Sequence, residues 1–174
     1  MYCANVYGIN AITGLNEPHI RDKIIDNIYE DSSYVFESLN LVECSMPLLD
    51  YLNDGVKNDR FDLVIATHTV NNMRNLDHDG VRKYKINWLS MNIEPRWPNL
   101  IKYDGQVMAF TGEGVDTKSM IARDNVLLID CQPRNISEFL INGGHGILVN
   151  EGYYFSDEVI SEIEKFLVKQ KQKV

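Results

Sequence analysis

Short apolar runs separated by helical segments constrain the fold of this chain more than any other feature of its sequence. Three such runs occupy residues 4–9, 61–66 and 125–129, and two weaker ones occupy residues 107–110 and 146–149. The second and third runs are continuous rather than alternating, which is typical of strands buried on both faces of a parallel sheet. The sequence therefore predicts up to five short strands.

Apolar residues recur at helical spacing between these runs. The predicted helices lie around residues 20–28, 47–52, 81–89, 136–140 and 156–167. The pair Gly143-Gly144 predicts the end of the fourth helix. Strands alternating with helices of this length predict an α/β fold, a doubly wound parallel sheet in one domain spanning residues 1–174. The turn-forming residues 96–105 are predicted to cross the surface.

Composition and charge exclude several classes of protein. The 174 residues include 17 basic and 25 acidic side chains, a net charge of −8, which argues against an extended nucleic-acid surface. Cys3, Cys44 and Cys131 follow no metal-binding spacing, so reduced thiols in a cytoplasmic compartment are expected. No apolar run approaches the roughly 20 residues of a membrane span, and the first residues do not read as a signal peptide. We expect no membrane partner.

The residues at the strand ends are the candidates for chemistry. In an open parallel sheet, ligands bind beyond the carboxyl ends of the strands. A lysine also precedes the end of the last long strand by twelve residues. The candidate residues at or near these ends are Gly8, Asn10, Thr67, Lys118, Asp130 and Cys131.

Residues 128–148, LIDCQPRNISEFLINGGHGIL, resemble a segment of the haloacid dehalogenase-like (HAD) phosphatases. The resemblance is closest to the small 5'(3')-deoxyribonucleotidases of bacteria and phages, which carry a stretch of the form LIDDRPxNIxxFxxxGGxGIL. Residues 45–49 and 83–89 also resemble parts of that group. The resemblance implies a HAD-like, Rossmann-like sheet flanked by helices, with residues 14–34 in place of the small cap. A phage origin, and thus a host cytoplasm, would fit this group.

The resemblance also implies that three functional positions of the family are lost. The attacking aspartate and the proton-donating aspartate match Gly8 and Asn10, and one acid of the magnesium-binding pair matches Cys131. Glycine cannot form an aspartyl-phosphate, and an amide cannot donate a proton as a carboxylic acid does. Losing a covalent nucleophile can cost on the order of 10⁶ in kcat. No catalytic residues are expected.

Three other positions of the family are retained in type. The phosphate-binding threonine matches Thr67, the charge-offsetting lysine matches Lys118, and the remaining metal-side acid matches Asp130. Together with Cys131 they form a predicted remnant of a phosphate pocket, in which Asp130 is expected to pair with Lys118. A single carboxylate is a poor magnesium site, so no metal or other cofactor is expected.

These observations lead to one main hypothesis and several alternatives. The main hypothesis is a catalytically inactive HAD-like protein retained for binding or regulation, with a protein partner, a second copy of itself or a nucleotide as its ligand. One alternative is an active, magnesium-dependent nucleotidase in which Asp116 or Glu113 replaces the missing acid. Cys131 beside His68 or His145 is another candidate nucleophile. A structural subunit of a larger assembly is the remaining alternative.

Overall fold

A computed structural model describes residue 41 and residues 45–68, 78–101, 106–111, 116–149 and 156–173. Helices and strands alternate along these ranges, which confirms the predicted α/β class. No helix within these ranges is both long and apolar enough to cross a membrane. The elements are α1 (Met46–Lys57), β1 (Ile65–His68), α2 (His78–Asn92), β2 (Val107–Phe110), a 3-10 helix (Lys118–Ile121), β3 (Leu127–Asp130), α3 (Pro133–Ile141), β4 (His145–Leu148) and α4 (Ser156–Lys171).

The four strands form two parallel pairs. β1 pairs with β2 so that His68 lies opposite Phe110, and β3 pairs with β4 so that Asp130 lies opposite Leu148. Within the described ranges these pairs are separate two-stranded sheets rather than one continuous sheet. Thr67 and His68 are part of β1 and do not follow it, because this strand begins and ends later than the predicted residues 61–66.

An apolar cavity of about 830 Å³ lies against both strand pairs. Ile65 and Ala66 of β1, Met108 of β2 and Leu127 of β3 line it. The residues of β1 are only half-buried, and Met108 is 38% exposed. The predicted burial of the strands on both faces is therefore incomplete in the described part of the chain, because this cavity borders their apolar side chains.

The β3–α3–β4 unit is closed by a Schellman motif at the end of α3. Gly143 has a φ of 84°, its N–H donates to the Leu140 carbonyl, and the Gly144 N–H donates to the Phe139 carbonyl. The predicted helix end at this glycine pair is confirmed. Phe139 is fully buried, and a Cβ on Gly144 would lie 2.2 Å from its ring. A residue without a side chain thus lets α3 pack closely and sets the position of β4.

Residues 96–101 form turns, but the prediction that this segment crosses the surface is wrong for two of its side chains. Trp97 and Leu100 are 1% and 2% exposed and pack with Ile93. The indole Nε1 of Trp97 donates to Asp50 Oδ1 at 2.6 Å. Turn-forming residues predict the path of the backbone, whereas the large apolar area of a tryptophan decides its burial.

Several predictions fall outside the residues that the structure describes. They are the first strand at residues 4–9, the helix at residues 20–28 and the cap segment at residues 14–34. The two degenerate motif positions, Gly8 and Asn10, lie there as well.

Candidate functional site

Asp130 ends β3 and has protein donors on both carboxylate oxygens. Oδ2 accepts hydrogen bonds from Lys118 Nζ at 2.7 Å and from Asn135 Nδ2 at 3.0 Å. Oδ1 accepts one from the backbone N–H of Gln132 at 2.8 Å. The side chains of Asp130 and Lys118 are 4% and 13% exposed, so the predicted ion pair is present and largely buried. The start of α3 and the 3-10 helix supply the donors, and they fix the carboxylate in place.

The pKa of Asp130 lies below its ordinary value as a balance of opposing effects. Burial alone would raise the pKa, because a buried carboxylate loses its hydration. The hydrogen bonds from Lys118, the Gln132 N–H and Asn135 outweigh that effect and lower the pKa. Asp130 is therefore ionised at neutral pH and is already fully engaged by the protein.

The end of β1 receives a lysine from α2. Lys85 Nζ donates to Thr67 Oγ1 at 2.9 Å and also to the carbonyl oxygen of His68. Burial lowers the pKa of Lys85, and the charge of Lys118 lowers it further. Lys118 belongs to the 3-10 helix and Lys85 to α2, so the two lysines that influence each other here come from different elements.

His68 places a buried polar atom beside these lysines. Its Nε2 has no hydrogen-bond partner in the part of the chain that the structure describes. Burial lowers the pKa of His68, the charges of Lys118 and Lys85 lower it further, and those of Asp130 and Asp116 partly oppose the shift. The imidazole is therefore neutral at neutral pH, and its Nε2 retains an unused capacity for hydrogen bonding.

These side chains form one group, which we name the strand-end cluster: Thr67, His68, Lys85, Lys118 and Asp130. Its two ammonium groups and one carboxylate leave one positive charge among the five side chains. A hydroxyl and a neutral imidazole lie beside that charge. Ammonium groups and neutral donors together are the chemistry that binds a phosphoryl group or another anion with several oxygens.

Asp116 has a different environment at the end of β2. Its Oδ2 accepts hydrogen bonds from the N–H of Thr111 at 2.8 Å and from the Thr111 hydroxyl at 2.7 Å. These two hydrogen bonds lower the pKa of Asp116. A carboxylate held in this way would have to give up both bonds before attacking phosphorus, so the geometry does not favour Asp116 as a replacement nucleophile. Glu113 lies outside the described residues.

In the described part of the site, a magnesium ion could use the carboxylates of Asp130 and Asp116, and both are hydrogen-bonded to the protein. Magnesium takes an octahedral set of oxygens, usually one or two carboxylates with water and substrate phosphate. Both oxygens of Asp130 already accept hydrogen bonds from the protein, and the next residue, Cys131, is exposed and has no carboxylate. Within the described ranges, no three His, Cys, Asp or Glu side chains are placed to hold a metal.

Cys131 and His145 lie at opposite ends of their strand pair. Cys131 follows the carboxyl end of β3, whereas His145 begins β4 opposite Leu127. Cys131 therefore lies four residues beyond the level of His145, about 13 Å along the strand direction. His145 instead contacts Asp124 at 3.4 Å. The hypothesis of a Cys131–His145 nucleophilic pair is therefore wrong.

The cluster contains three predicted residues and two that sequence reasoning did not assign to the site. Lys118 pairs with Asp130, and its charge lowers the pKa of Lys85, which itself contacts Thr67. Lys85 was expected in an amphipathic helix within residues 83–89, which resemble the family, and His68 as an ordinary polar residue or a partner of Cys131. A signal for Lys85 was present, because it occupies the apolar face of α2 together with Trp88 and Leu89.

No protein-family model matches this chain, and no curated protein or solved structure matches it either. The likeness to HAD phosphatases consequently depends on the residues quoted above. The function has to be argued from the geometry of the strand-end cluster.

Proposed function

We propose that this chain is a catalytically inactive HAD-like protein that binds a phosphorylated ligand of the nucleotide class at the strand-end cluster. The observation that carries this proposal is the hydrogen bond from Lys85 to the Thr67 hydroxyl, with the charge of Lys118 acting on the same ammonium group. Placing two ammonium groups together raises the energy of the empty site. A bound phosphoryl group would relieve that repulsion and accept hydrogen bonds from both.

A single HAD-like sheet is the architecture that we propose for the whole chain. Both described strand pairs are parallel, and apolar residues of β1 and β3 line the same cavity. One further apolar parallel strand between the pairs would join them into one sheet. Residues 4–9 are the predicted strand with a suitable composition.

Absence of turnover follows in this proposal from the side chains available. Gly8 and Asn10 cannot attack phosphorus or protonate a leaving group as two aspartates would. Asp130 and Asp116, the acids described near the cluster, already accept hydrogen bonds from protein donors. Binding without hydrolysis suits a regulatory protein. The bound ligand would contact Lys85 of α2 and Lys118 of the 3-10 helix and so hold these elements against the ends of the strands.

The direct test measures binding and turnover on the same sample. The full chain is incubated with dTMP or dUMP, with and without magnesium, while its melting temperature and the release of phosphate are recorded. We expect the nucleotide to raise the melting temperature with no steady release of phosphate. Steady release that Asp130→Asn abolishes would contradict the inactive assignment. An unchanged melting temperature at millimolar nucleotide would contradict the binding assignment.

A further inference from the structure

The Nε2 atom of His68 is the least explained polar atom of the site. It is buried and has no hydrogen-bond partner in the described ranges. A buried nitrogen left in this state costs free energy, and native proteins rarely leave one without a use. Lys85 donates a hydrogen bond to the carbonyl oxygen of His68, and the charges of Lys85 and Lys118 both act on its ring, so the nitrogen belongs to the region of the proposed anion site.

We propose that His68 is a third binding group for the anion and donates a hydrogen bond from Nε2 to one of its oxygens. This inference rests on the proposed function, because it requires an anion at the strand-end cluster. His68, Lys85 and Lys118 come from three elements, β1, α2 and the 3-10 helix. Donors from three directions suit the tetrahedral oxygens of a phosphoryl group better than the planar pair of a carboxylate.

The charged groups around the ring are compatible with this role. Burial and the charges of Lys118 and Lys85 lower the pKa of His68. The charges of Asp130 and Asp116 raise it, but by less, so the pKa lies below its ordinary value. A neutral ring with its proton on Nε2 is a donor that adds no charge to an already cationic site. An incoming anion would accept a hydrogen bond from Nε2 and place negative charge beside Lys85, which donates to the carbonyl oxygen of the same histidine.

The inference is tested with inorganic phosphate, inorganic sulfate and acetate as probes on the full-length protein. His68→Phe keeps a ring and removes both nitrogens, whereas His68→Gln keeps an amide nitrogen near the position of Nε2. His145→Gln is the matched control, because His145 lies at the start of β4, away from the carboxyl ends of the strands. Calorimetry gives the affinities, and nitrogen NMR of the histidine side chains reports directly on Nε2 in the unsubstituted protein.

We expect phosphate and sulfate to bind the wild type more tightly than acetate and to shift the His68 ring signals. His68→Phe should bind phosphate at least about tenfold more weakly, because a hydrogen bond to a charged group is lost. His68→Gln should recover part of that loss, and His145→Gln should match the wild type.

Two results would overturn the inference and separate it from the proposed function. Wild-type phosphate binding with unmoved His68 signals and equal affinity in His68→Phe would remove the histidine from the site and leave the binding function intact. No phosphate binding by the wild type would overturn both. If His68→Phe does not fold, the ring signals of the wild type decide the question alone.

Discussion

The carboxyl ends of β3 and β1 both carry polar and charged side chains, but they differ in how many of the hydrogen-bonding groups have a partner in the protein. At the end of β3, Asp130 accepts hydrogen bonds from a lysine, an asparagine and a backbone amide, so its charge is fully engaged. At the end of β1, Lys85 lies in the field of a second lysine, and His68 carries a buried nitrogen without a partner among the described residues. The carboxylate at one strand end is saturated by protein donors, whereas at the other end His68 Nε2 has no partner among the described residues.

This difference gives Asp130 a structural role, although it is the residue that the sequence motif marks most clearly. Asp130 stands in the segment that resembles the HAD phosphatases, yet its contacts are those of a structural residue that holds Lys118 and the start of α3. The groups suited to a ligand are Lys85 and His68, which no motif marked. Substitutions at the two ends should therefore have separable effects, with stability lost at β3 and binding lost at β1.

The largest expected effect is on stability, from Asp130→Ala. Removing this carboxylate leaves Lys118 as a largely buried cation without its counter-ion, which should lower the free energy of unfolding by about 3 to 5 kcal/mol. Urea denaturation measures the loss. Asp124→Ala, which breaks an ion pair with Lys173 at the surface, is the matched control and should leave the urea midpoint almost unchanged.

A second variant sharpens the test of Asp130. Lys118→Met in the Asp130→Ala background removes the stranded cation and should restore part of the lost stability. If Asp130→Ala alone has no more effect than Asp124→Ala, the end of β3 is not the rigid element described above.

Gly144→Ala tests the packing of α3 where the β3–β4 pair begins, at the end opposite Asp130. The new Cβ would lie 2.2 Å from the ring of Phe139, which is fully buried. We expect a loss of about 1 to 3 kcal/mol in unfolding free energy, measured by thermal or urea denaturation. Gly146→Ala should cost less, because its nearest neighbour is a methyl group of Ile136 at 2.9 Å. Equal costs at the two glycines would show that the Phe139 contact does not fix this unit.

Lys85→Met should separate stability from binding. The variant loses the hydrogen bond to Thr67, but it also removes a cation whose burial and proximity to Lys118 are unfavourable. We expect the unfolding free energy to change by less than about 1 kcal/mol, while the response of the melting temperature to phosphate falls sharply. A stability loss as large as that of Asp130→Ala would mean that Lys85 is a structural residue.

The smallest expected effect is a dependence of stability on pH through His68. Its pKa is lower in the folded protein than in the unfolded chain, mainly because of burial, so the unfolded state binds more protons just below the ordinary value of about 6.5. Stability should therefore fall as the pH drops below that value. His68→Phe should lack this component, whereas His145→Gln should retain it. Identical pH profiles for wild type and His68→Phe would contradict the described environment.

The sequence was sufficient to predict the elements of the β3–α3–β4 unit. Unbroken apolar runs, a glycine pair and a short connection all report on local structure, and the structure places strand, helix end and strand close to the expected positions. The pairing of Lys118 with Asp130 was also expected, because the resemblance implies a charge-offsetting lysine beside the remaining acid.

The features that the sequence did not predict depend on contacts between residues far apart in the chain. The burial of Trp97 is set by Ile93 and Asp50, which no turn pattern reveals. Lys85 contacts Thr67 because of the rotation of α2 about its axis and its packing against β1, which the sequence pattern does not specify. The register of β1, which includes His68 in the strand, is likewise fixed by pairing with β2 and not by the apolar run.

The most direct test of the central claim is a calorimetric titration of inorganic phosphate into the wild type, Lys85→Met and Lys165→Met. Lys165 is an exposed lysine of α4 that pairs with Glu162, so its variant controls for the loss of a positive charge alone. We predict that phosphate binds the wild type and Lys165→Met equally, and Lys85→Met at least about tenfold more weakly. Equal affinity in all three proteins, or no binding to the wild type, would contradict the assignment of the end of β1 as an anion site.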